Sequence, residues 1–81
     1  MVRPLQDVAR DARTLARAVR TLDPASASAG ATVLAYDAVL AELCAMLEIP
    51  ERLEAERRRG EALAERARVE ALVEAAGVDL T

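Results

Sequence analysis

The segment from about Ala31 to Ile49 is apolar on nearly every side, and that property constrains the rest of the chain. Val33, Tyr36, Leu40, Leu43 and Leu47 recur at steps of three and four, the spacing of one helical seam. Leu34, Val39, Met46 and Ile49 cover other sides of the same helix. A helix that is apolar all round is normally buried between neighbours. Its length approaches a short membrane span, but Asp37, Glu42 and Glu48 lie inside it. A central acid costs roughly 2.5–3.5 kcal/mol on membrane insertion. The expectation is a core helix of a cytoplasmic protein, with no membrane partner.

Few means of covering that helix are open to 81 residues. A chain of this size buries only about 60% of its unfolded surface, and small chains often add disulfides, metals or association. Cys44 is the single cysteine, so an intrachain disulfide is excluded, and the absence of histidine removes the mixed Cys/His zinc sets. Association or very efficient helix packing remains. Alanine, leucine, glutamate and arginine predominate over the β-branched and aromatic residues that strands favour; Tyr36 is the one aromatic. All eleven basic residues are arginine, which fits a bacterial genome of high G/C content. Net charge is −3, unlike a nucleic-acid-binding polyelectrolyte.

The flanking segments also read as helices. Over residues 4–22, Leu5, Val8, Ala12, Leu15, Val19 and Leu22 form a heptad seam, and Pro4 suits a first turn. Asp23-Pro24 ends this helix, because the residue before proline is driven out of the α region. Residues 24–30 form a small-residue linker. The middle helix is placed at about 31–48, with a start anywhere from Pro24 to Thr32 compatible with the pattern. After Ile49-Pro50 a third helix is expected over about 51–76, ended by Gly77 and followed by a short tail. Arg52/Glu56 and Glu54/Arg58 are spaced as i,i+4 pairs. Leu53, Gly60, Leu63, Ala64, Ala67 and Ala71 share one face, whereas Val69, Leu72, Val73 and Ala76 lie nearly opposite. The helix therefore bends, with Gly60 the natural place, or its halves meet different partners. The fold expected is all-α: one domain over residues 1–81, a three-helix antiparallel bundle completed by homodimerisation or higher oligomerisation.

The missing chemistry argues against an enzyme. Without histidine there is no ready acid–base group near neutral pH and no Ser–His or Cys–His nucleophile. No glycine-rich phosphate loop is present, and no cofactor is expected. Glu51, Glu54, Glu61 and Glu65 read as a solvated face. Asp37, set into the apolar helix, is expected to be partly buried and matched by an arginine. Tyr36 and Cys44 read as core. Arg57, Arg58 and Arg59 fan around a helix surface beside Gly60. Arg10, Arg13, Arg17 and Arg20 instead fall within about 80° of one another on a helix, a ridge able to meet an anion or nucleic acid. Residues 1–22 carry five arginines against Asp7 and Asp11, a net +3.

Over about residues 12–50, the LARAVRTLD helix, the small-residue loop and the apolar YDAVLAEL helix resemble short small-terminase proteins of actinobacterial phages. That resemblance implies a ring-forming DNA-packaging subunit that recognises viral DNA and regulates a motor subunit. The chain has no evident helix-turn-helix to match a DNA-reading role. The residues themselves point first to a non-enzymatic, self-associating helical module: an adaptor, regulator or assembly subunit whose partner is another copy or another helical protein. Its expected core or interface is Leu15, Val19, Val33, Tyr36, Leu40, Leu43, Leu47, Val69, Leu72 and Val73.

Overall fold

The computed structural model describes residues 3–81 and contains four helices: α1 (Leu5–Arg20), α2 (Ala29–Leu47), α3 (Leu53–Arg58) and α4 (Ala62–Ala75). The expected third helix is thus two. Gly60 lies at φ 76, in the left-handed region, where glycine avoids the Cβ clash other residues meet. Its N–H donates to the Arg57 carbonyl at 3.1 Å, and the Glu61 N–H to the Glu56 carbonyl at 2.8 Å. This pair of bonds closes a Schellman cap and stops α3. The break also resets helical phase, which explains the change of apolar face read along residues 53–76.

The same cap recurs at two other helix ends. Glu48, at φ 59, turns the chain after α2, with the Ile49 N–H donating to the Cys44 carbonyl at 2.8 Å. Gly77, at φ 102, turns it after α4, with the Val78 N–H donating to the Val73 carbonyl at 3.2 Å. The 24–30 segment is shorter as a linker than its composition suggests, because α2 already begins at Ala29. Asp23 does not cap α2. Its side chain accepts the Ala25 N–H at 3.0 Å and its carbonyl the Ser26 N–H at 2.9 Å, forming a separate turn.

α2 is the shared element: α1 and α4 both pack on it, and α3 packs on α4. From α1 the core receives Val8, Ala9, Ala12 and Ala16, small side chains that let two helices approach closely. From α2 come Tyr36, Leu40, Leu43 and Cys44, joined by Leu53 of α3 and Val69 and Val73 of α4. Burying a leucine or valine of this kind contributes about 1.5–3 kcal/mol. The last residues are not a loose appendage, since Val78 and Leu80 are buried in the same core.

Candidate functional site

The outer face of α2 is the largest part of the apolar helix that the fold leaves uncovered. Ala31, Leu34, Ala35, Ala38 and Ala45 are exposed along one side, with Leu34 at 48% exposure. At about 100° per residue they fall within a single arc of roughly 100°. Of the most apolar 18-residue stretch of α2, only 28% is buried. By length and composition this is a helix able to cross a membrane. A hollow of about 220 Å³ adjoins the face, lined by Leu34, Ala38 and Ala41 of α2 and Leu53 and Arg57 of α3. α4 carries a second uncovered strip, Ala64, Ala67, Ala71 and Ala75, flanked by exposed Leu63 and Leu72.

Just inside the α2 face lies the most polar part of the interior. Asp37 is 2% exposed and accepts two hydrogen bonds from Arg66 of α4, Nε to Oδ1 at 2.6 Å and Nη2 to Oδ2 at 2.9 Å. Arg57 approaches Oδ2 at 3.8 Å. One turn along α4, Glu70 accepts the hydroxyl of Tyr36. Burial foremost, and then the bond to Glu70, push the Tyr36 phenol far above its ordinary pKa. Asp37 and Tyr36, neighbours on α2, thus each reach across to α4. The arginine partner expected for Asp37 is present.

Glu65 corrects the expectation of a solvated face. It is 8% exposed, and its carboxylate accepts the Arg68 Nε at 2.7 Å and Nη2 at 2.6 Å, and the Arg52 backbone N–H at 2.6 Å. These bonds, that from the Arg68 side chain foremost, hold its carboxyl below the usual range. The acid ties the start of α3 to α4, a job that position in sequence does not reveal. Its companions Glu54 and Glu61 are exposed, and Glu51 is half-buried, its carboxylate accepting the Leu53 N–H at 2.7 Å. Both i,i+4 pairs are present, Arg58–Glu54 at 2.7 Å and Arg52–Glu56 at 3.9 Å.

The residues singled out as core or interface separate into two groups. Tyr36, Leu40, Leu43, Val69 and Val73 are wholly enclosed within one chain. Leu15, Val19, Val33 and Leu47 are half-buried, and Leu72 is 41% exposed. Leu34, Ala31, Ala35 and Ala38 were not among them, because a seam chosen for its large side chains marks the buried side. The exposed leucine at 34, read with its alanine neighbours at steps of three and four, was the available signal.

The arginine ridge of α1 is only partly free. Arg13 Nη1 donates to the Asp79 carbonyl and Arg20 Nη1 to the Leu80 carbonyl, each at 3.2 Å. The ridge therefore holds the C-terminal tail and does not meet the acids of α3 or α4. Arg10 lies 3.8 Å from Asp7, and Arg17 is exposed with no ion pair within 4 Å among the described residues. Cys44 is fully buried; burial foremost, then the nearby Glu51 charge, pushes its thiol pKa up to about 11. Among the described residues, no group of three or more acids or cysteines is placed to hold a metal ion.

No protein family matches the chain, and no curated protein or solved structure is significantly similar to it.

Proposed function

We propose that this protein is a non-enzymatic helical interaction module that associates with further copies of itself through the outer face of α2. The observation that carries the reading is the exposure of Ala31, Leu34, Ala35 and Ala38 on a helix apolar all round. Small side chains permit close helix approach, and Leu34 supplies a projecting knob beside a hollow on the same surface. A face holding both knob and hollow suits a two-fold contact, in which each copy offers what the other receives. Protein covers this face better than lipid does, because Asp37 is tied through Arg66 to α4 and would carry that ion pair toward the bilayer.

Leu34→Glu and Ala38→Arg test the reading. Both positions are exposed, so each variant keeps the helical fold of the single chain. Both should reduce the mass in solution to that of the 8.7 kDa chain. A self-associated wild type whose mass neither variant lowers would remove this face as the interface. Leu40 cannot serve for the test. It is buried within one chain, and a charge there unfolds the protein whatever its oligomeric state.

A further inference from the structure

A second concavity opens where the end of α1 meets the first turns of α2. It is a groove of about 570 Å³, within the roughly 300–1,000 Å³ of small-molecule sites. Val19 and Leu22 form one wall, and Ala29 and Val33 another. The charged side chains that line it are Arg57 and Arg66, both cations; no acid lines it.

These two guanidinium groups share one buried carboxylate. Arg66 uses Nε and Nη2 on Asp37, which leaves Nη1 outside that pair. Arg57, 39% exposed, has Asp37 as its ion-pair contact, at 3.8 Å. Glu70, the other acid acting on Arg66, accepts the Tyr36 hydroxyl. Both acids stay off the lining, so the groove presents two guanidinium groups and no carboxylate, although the whole chain is net −3. Guanidinium groups bind carboxylates through paired, charge-assisted hydrogen bonds, and partial burial strengthens them.

We propose that the groove binds a single-chain apolar carboxylate, with its head on Arg57 and the free edge of Arg66 and its chain along Val19, Leu22 and Val33. This site is independent of the self-association reading. Leu34 and Arg57 line both the groove and the hollow beside the α2 face, so a variant at Gly30, which lines the groove alone, separates the two sites. Gly30 lines the groove, and a Cβ built there meets no atom within 4 Å. Gly30→Leu therefore fills the groove while favouring the helix. Arg57→Gln removes the half-exposed cation and keeps the Asp37–Arg66 pair.

Decanoate titrated into the full chain, followed by calorimetry and amide chemical shifts, is the experiment. Decanoate should bind and shift Val19, Leu22 and Val33, and each variant should weaken it about tenfold or more. Decanol and decyltrimethylammonium should bind correspondingly worse. Equal binding of decanoate and decyltrimethylammonium would overturn the proposal, as would the absence of shifts at the groove. An affinity that falls as protein concentration rises would assign the groove to a second copy and overturn it too.

Discussion

Asp37 and Arg66, 29 residues apart in sequence, meet through two hydrogen bonds, of 2.6 Å and 2.9 Å, at the centre of the fold. An acid on the α2 helix would otherwise face a desolvation cost offset only by Arg57 at 3.8 Å. The pair lets α2 keep Asp37 inside and fixes the rotation of α4 against it. Arg66→Met should cost roughly 3–5 kcal/mol in urea unfolding, because it removes both hydrogen bonds to the buried carboxylate and leaves it only Arg57 at 3.8 Å. Asp37→Leu with Arg66→Met should recover most of that loss. A single variant as stable as the wild type would show that the pair does not hold the two helices.

Two of the three left-handed helix ends give predictions of opposite sign. At Gly60, φ 76, alanine meets the left-handed penalty and should lower stability by about 1 kcal/mol. At Glu48, φ 59, the chain already carries a side chain in that region, so Glu48→Gly should raise stability by about 0.5–1 kcal/mol. Chemical denaturation of both variants checks the pair together.

How far these features could be read beforehand depended on range. Asp37 was legible as a buried acid needing an arginine, since a charge on an all-apolar helix has few other fates. Which of eleven arginines answers it was not, because α4 reaches it only after two chain reversals. Gly60 was legible as a weak point, but only the completed Schellman bonds turn one expected helix into two. Glu65 looked like any surface glutamate, as its partners include a backbone N–H at Arg52 that sequence does not display. The tail offered a small cue in the alternation of Val78, Asp79, Leu80 and Thr81, which places the two apolar residues on one side of an extended segment.

Buried Cys44 should make stability fall in alkali. Its thiol ionises near pH 11 in the folded chain against an ordinary value of 9.0, so the unfolded state releases its proton first. The stabilising contribution is complete below about pH 8.5 and declines as pH rises toward 11. Cys44→Ala should flatten the pH dependence between about pH 8.5 and 9.5, below the ordinary tyrosine pKa of about 10. An unchanged slope would show that this thiol does not carry the effect.

Arg13 and Arg20 hold the tail carbonyls, so their removal should loosen Val78 and Leu80. Faster amide exchange in residues 78–81 of an Arg13→Ala, Arg20→Ala variant is the expected result. The reading of the ridge as a nucleic-acid contact makes a different forecast: salt-sensitive DNA binding that weakens when Arg10 and Arg17, which make no bond to the tail, become alanine. No DNA binding at low salt would dispose of that alternative.

If the uncovered face of α2 joins copies of the chain, the solution mass of the unmodified protein must depend on its concentration. Sedimentation equilibrium from micromolar to millimolar protein should show a mass that rises from 8.7 kDa to at least twice that value. Leu34→Glu should stay at 8.7 kDa throughout. A wild-type chain that remains monomeric over the whole range would rule out self-association through α2.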